Sequence, residues 1–225
     1  MVGAAPMSSR ELILGRVRAA LADVADDEPA SWIYDRDADE HSRYARAGSR
    51  DPEALAALFA DRCGEYRATV TRAERAGLGP AIAAACARHG ASSLVVPTDL
   101  PEAWRAPGVE WREDHPSLDV HALSGFDGAL TGCAVAIALT GTIVLDAGEA
   151  QGRRALTLLP DLHICVIGEE QIVEGVPEAF ERLAPAARSG RPLTFISGPS
   201  ATSDIELKRV EGVHGPRRLE IVIAG

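Results

Sequence analysis

Apolar positions first fall into helical spacing at Ile13, Val17, Leu21 and Val24, one face of a 3.6-residue period. Ser8 and Glu11 precede them as an S-x-x-E capping box, in which side chains satisfy free main-chain N–H groups at a helix start. The pattern then lapses. Residues 25–50, ADDEPASWIYDRDADEHSRYARAGSR, carry much charge and few aliphatics, so they read as an extended arm anchored by Trp32, Ile33 and Tyr34. Asp51-Pro52 restarts helical order with an N-cap and a proline at the first helical position, and Leu55, Leu58 and Phe59 give that helix a buried face. Residues 66–70 read as a strand. A third helix from about Leu78 puts Ile82, Cys86 and His89 on one stripe and stops at Gly90. Residues 93–96 form a short apolar strand before Pro97.

The second half alternates more densely. Apolar runs at 133–139 and 142–145 meet at Thr140-Gly141, a bend or hairpin signal. Residues 153–159 suit a short helix closed by Pro160, and 177–183 suit another. Residues 162–167, LHICVI, are apolar on both faces, as a central strand must be. Residues 193–196 read as a further buried strand and 219–223 as the last. Strand–helix–strand alternation predicts an α/β fold with a mostly parallel sheet and helices on both faces. The expected division is a helix and arm over 1–50 and an α/β domain over 51–225.

Composition narrows the function classes. The chain has 225 residues, 46% hydrophobic and 25% charged, enough to bury a sizeable core. No apolar run reaches the roughly 18 residues of a membrane span, and the N-terminus lacks a secretory pattern, so the expected location is cytoplasmic. A net charge of −10 argues against a nucleic-acid partner, which needs a basic surface. Cys63, Cys86, Cys133 and Cys165 are widely spaced with no C-x-x-C, so neither a zinc ribbon nor a cluster-binding run is present. No metal and no cofactor bound by this chain is expected.

Three segments carry candidate chemistry. In TFISGPSATSDIE, residues 194–206, a strand runs into a hydroxyl-rich turn, and ligands of open α/β sheets sit at carboxyl ends of strands. Gly198 and Pro199 shape the turn, and Ser197, Ser200, Thr202 and Ser203 supply donors. Ser203 and Glu206 form another capping box beside Asp204, and a helix start favours an anion. A plain helix cap explains the same residues equally well. In EGVHGPRR, residues 211–218, glycines at 212 and 215 expose His214 for acid, base or anion contact, or leave it merely solvated. In GRRALTLLPDLHICVI, residues 152–167, Arg153 and Arg154 could complete an anion pocket beside Thr140, Gly141 and Thr142, or pair at the surface. His163, one residue into a buried strand, suits a hydrogen-bonded core histidine. There is no phosphate-loop lysine motif and no G-x-G-x-x-G. Thr202 stands where a nucleophile elbow would close on glycine.

Taken together, TGTIVLDAG, GRRALTLLPDLHICVIGEEQIV, VPEAFERL, TFISGPSATSDIE and VEGVHGPRRLEIVI resemble the LUD-domain family in its lactate utilisation protein C (LutC/YkgG) type, over about residues 131–223. The resemblance implies a three-layer α/β/α fold similar to the NagB/RpiA/CoA-transferase-like group. It also implies a component of a bacterial system oxidising L-lactate to pyruvate. The implied partners are LutA-like and LutB-like iron–sulfur proteins, which carry the clusters. It does not assign the oxidation to this chain, so the sequence leaves open whether the chain is itself an enzyme. One departure is visible: many members have glutamate before the T-G-T triplet, where this chain has Leu139. That favours binding of a small anionic ligand over acid–base catalysis. The competing expectation is a free-standing enzyme acting on a phosphorylated or acyl-CoA substrate.

Overall fold

The structure is a computed structural model that describes residues 9–22, 48–202, 210–211 and 215–225. The chain divides into two compact units, Met1–Tyr44 and Ala45–Gly225. In the first, helix α1 (Ser9–Ala20) follows the apolar spacing, with Leu12, Ile13, Val17 and Leu21 exposed. Ser8, Val24 and residues 25–47 of the expected arm lie outside the described residues.

The second unit opens with α2 (Pro52–Glu65), whose N-cap Asp51 accepts a hydrogen bond from the Ala54 N–H at 2.8 Å. Its Ala56, Phe59 and Cys63 are buried, with Leu55 and Leu58 packed against the same core. Strand β1 (Thr69–Ala73) begins three residues later than expected. The Tyr66 N–H still bonds to the Cys63 carbonyl at 3.1 Å and Arg67 is left-handed at φ 68°, so the chain is finishing a helix there. Helix α3 (Leu78–His89) stops at Gly90, whose φ of 65° only glycine adopts without strain.

The elements β2 (Ser93–Val96), β3 (Glu110–Glu113), α4 (Val120–Ser124) and β4 (Gly128–Thr131) follow. Next come β5 (Val135–Ile137), β6 (Thr142–Leu145), β7 (Leu162–Gly168), β8 (Ile172–Val173) and α5 (Val176–Arg188). The chain continues with β9 (Thr194–Ile196), β10 (Ala201–Thr202), β11 (Val210–Glu211) and β12 (Arg218–Ala224). The run at 153–159 is a single 3-10 turn, Arg154–Thr157. Helix α5 runs past Pro185, which removes one donor near the last turn without ending it.

Six strands form one sheet in the order β1-β12-β7-β4-β2-β3, and every pair is parallel. Side chains alternate between its faces. Cys165, Ile167, Leu219, Ile221 and Ile223 pack on α2, whereas Leu162, Ile164, Val166 and Val222 pack on Ile82, Ala85 and Cys86 of α3. Helices therefore cover both faces, which is the expected three-layer α/β/α arrangement. A four-stranded mixed sheet, β8-β5-β6-β9, adds to the α2 side. Its Val135, Ile137 and Val144 pack on Ala179 and Leu183 of α5.

Residues 193–196 thus differ from expectation. They form a strand, but not the buried one expected; β9 is an edge strand antiparallel to β6, and its Phe195 is 43% exposed and stacked on Phe180 at 5.7 Å. One buried charge needs its partners. The fully buried Glu220 of β12 pairs with Arg88 Nη1 at 3.2 Å and His89 Nε2 at 3.0 Å, which offsets a desolvation cost of several kcal/mol for a carboxylate.

Candidate functional site

The carboxyl end of α2 is a platform for two tight glycines. Gly141, at φ 58°, presses on Arg62 and Cys63 so closely that a Cβ would stand 2.8–2.9 Å from Arg62 C, Arg62 Cβ and Cys63 N. Gly198, at φ 84°, presses on Tyr66, where a Cβ would come within 2.6 Å of the tyrosine Cβ. Neither position has room for a side chain. Hydroxyls then join the two turns: Thr140 Oγ1 lies 2.7 Å from Thr142 Oγ1, which lies 2.8 Å from Ser197 Oγ. The structure therefore brings the Thr140–Gly141–Thr142 bend and the Ser197–Gly198 turn together, although 55 residues separate Thr142 from Ser197.

Beyond that junction lies a pocket of about 220 Å³, lined by Arg154, Thr157, His163, Ser197–Ser200, Gly215, Pro216 and neighbouring apolar atoms. The main-chain N–H of Ser200 bonds to the Pro216 carbonyl at 2.8 Å and ties its two loops together. Gly215 stands at φ 107° with its open side towards Ser200. Arg154 reaches in from the surface, held by Nη1 donating to Thr157 O and Oγ1 at 2.8 and 3.0 Å. Among the described residues no carboxylate pairs with it. Partial burial lowers its pKa from the usual arginine value, yet guanidinium remains charged at neutral pH.

His163 forms the back of the pocket. It is buried and its Nε2 lies 2.8 Å from Thr131 Oγ1. Burial, and then the nearby Arg154 cation, push its pKa down to about 4. The imidazole is thus neutral near pH 7 and offers hydrogen bonds, not charge. The pocket combines one cation that has no carboxylate partner among the described residues, hydroxyls and a neutral imidazole, a set suited to a small anion with an adjacent polar oxygen.

Not every expected residue comes here. Arg153 turns away: its Nε and Nη2 donate to Asp114 at 2.6 and 2.9 Å, so Arg154 takes the place in the pocket that the arginine pair suggested. Adjacent residues on an extended or turning chain point apart, which spacing alone could not resolve. Thr202 is in β10, opposite Val210 of the antiparallel β11. Ser203, Asp204, Glu206 and His214 lie outside the described residues. The position of the turn also differs from expectation. Because β9 belongs to the smaller sheet, the Ser197 turn does not follow a strand of the parallel sheet; its pocket sits at the amino ends of β7 and β12, beside His163 and Leu219.

Thr131 and Thr157 were missed, and no local signal marks either one. Leu139 is 48% exposed on the 3-10 turn Ala138–Thr140 and is not part of the pocket lining. Burial pushes the Cys63 and Cys86 thiols up to about 12 and 11, and a hydrogen bond with Cys165 together with burial raises Cys133 as well. These thiols are not thiolate nucleophiles at neutral pH. Among the described residues, no group of three or more His, Cys, Asp or Glu is placed to hold a metal, and no helix is long and apolar enough to cross a membrane.

The LUD-domain family profile matches residues 56–224. A protein of Deinococcus radiodurans named "Lactate utilization protein C" is 52% identical over 167 residues, 74% of this chain and 78% of that protein. A protein of the same name from Bacillus velezensis is 26% identical over 187 residues, 75% of this chain and 77% of that protein. The crystal structure of a DUF162 family protein from Deinococcus radiodurans superimposes with a TM-score of 0.70 at 43% identity, covering 79% of this chain and 100% of that one.

Proposed function

The chain belongs to the LUD-domain family, and on that premise we propose that it is the C-type component of a bacterial lactate-utilisation system. In that system L-lactate is oxidised to pyruvate, and this chain binds a small organic anion in the Arg154–His163 pocket. The observation that carries the ligand reading is Arg154, a cation at a closed-backed pocket with no carboxylate partner among the described residues. Its guanidinium pairs with the ligand carboxylate, and the hydroxyls of Thr157 and Ser197 reach the neighbouring hydroxyl or keto oxygen. Neutral His163, fixed by Thr131, adds a hydrogen bond without competing for the charge. A pocket of about 220 Å³ suits a three-carbon acid.

The electrons pass to LutA-like and LutB-like iron–sulfur partners in the cytoplasm, with no cluster on this chain. A subunit role is supported by an apolar strip on the surface: Leu139, Val176, Phe180 and Phe195 are each at least 41% exposed, and strips of this kind mark contact surfaces. Deleting the gene tests the reading. Growth on L-lactate should fail while growth on glucose stays normal; undiminished growth on L-lactate would sink the proposal.

A further inference from the structure

The parallel sheet has a second edge that the Arg154 pocket leaves unused. At the carboxyl ends of β1, β12, β7 and β4 lies an open cleft of about 540 Å³, inside the size range of small-molecule sites and at the edge where open α/β sheets bind them. Leu78, Pro101 and Trp104 form an apolar wall. Facing it is the turn that follows β6, and this turn is built at a cost. Ala147 and Ala150 stand at φ 52° and 55°, a region that residues with a Cβ avoid and that clusters at functional loops.

Buried side chains hold the strained turn in place. Asp146 Oδ1 accepts from the Gly148 N–H at 3.0 Å and from Gln151 Nε2 at 2.9 Å, and Gln151 Oε1 accepts from the Asp146 N–H at 2.6 Å. The Ala150 N–H donates to Asp99 at 2.9 Å, and its carbonyl accepts from the Gly132 N–H at 2.7 Å. The product of this scaffold is a positioned guanidinium. Arg191 Nη2 donates to Asp146 Oδ2 at 2.8 Å, and Nη1 lies over Gly148, 2.9 Å from where a Cβ would stand. The remaining guanidinium donors of Arg191 make no other bond among the described residues. Asp146 accepts three hydrogen bonds and holds Arg191 through one Nη2 contact, so it orients the guanidinium from one side; of the other two carboxylates that line the cleft, Glu170 is paired with Arg75, and Glu149 is the second.

We propose that this cleft is a second binding site, separate from the Arg154 pocket, that takes a small organic carboxylate: Arg191 grips the acid group and the Trp104 wall covers an apolar body. Such a site lets one chain hold two different anions at opposite edges of one sheet. The test is calorimetric titration of the full chain with 3-phenylpropionate, alongside amide NMR shifts. Binding should move the amides of Gly132, Gly148 and Arg191 and leave Ser197 and Ser200 unmoved. Arg191→Met should weaken it about tenfold, as loss of a charge-assisted pair does, and Trp104→Leu should weaken it with Arg191 intact. Arg154→Met should leave it unchanged, so failure here is distinct from failure of the lactate reading. No binding, equal loss in Arg154→Met, or equal displacement by inorganic phosphate would overturn the proposal.

Discussion

Acidification should destabilise this protein through His163 before its carboxylates titrate. The imidazole is buried with Thr131 at 2.8 Å, and burial followed by Arg154 brings its pKa from 6.5 to about 4. Above pH 6.5 neither the folded nor the unfolded chain protonates it, and the contribution is zero. As pH falls below 6.5 the unfolded chain takes up a proton that the folded chain refuses, so stability drops until about pH 4. At 1.36 kcal/mol per unit, the descent from pH 6.5 to 5.0 costs about 2 kcal/mol. Asp114, Asp127 and Glu170, whose pKa values are lowered by Arg153, Ser92 and Arg75 among other contacts, act only below their ordinary range near 4. Urea unfolding at pH 7.5 and 5.0 should show the wild type losing about 2 kcal/mol more than His163→Gln, which keeps a polar atom for Thr131 and cannot titrate. Equal losses in the two proteins would refute the reasoning.

Thr142→Val should cost about 1 kcal/mol, and a double-mutant cycle with Ser197→Ala should show the two residues coupled, because their hydroxyls share one bond. Glu220→Ala should cost about 3 kcal/mol by chemical denaturation, since Arg88 and His89 lose the carboxylate they converge on. Burial of Cys63, Cys86, Cys133 and Cys165 predicts no reaction with an aromatic disulfide reagent at pH 8 in the native state. All four should react in guanidinium.

Elements whose cause is local were legible in the sequence. Asp51-Pro52 and Gly90 mark helix ends because capping and left-handed backbone are chemical properties of those residues. The two-faced apolar run at 162–167 could only be central. The edge strand β9 escaped because LTFI has the same composition whether it lies in the middle of a sheet or on its rim, and only pairing decides which. The site was half legible. Hydroxyls and glycines at 140–142 and 197–200 were visible as a set, and their junction is a single hydroxyl contact. Thr131 was invisible because a buried threonine beside a histidine is a product of sheet register, and Thr157 because its place in the pocket depends on the 3-10 turn that brings it against Arg154. The carboxyl-edge turn was invisible too, since nothing in DAGEAQG announces that two alanines adopt positive φ.

Calorimetric titration with L-lactate and with pyruvate, on the wild type and on Arg154→Met, tests the ligand reading most directly. One of the two acids should bind the wild type, and Arg154→Met should weaken it about tenfold with the melting temperature little changed. Binding unaffected by Arg154→Met, or no binding of either acid, would contradict the account.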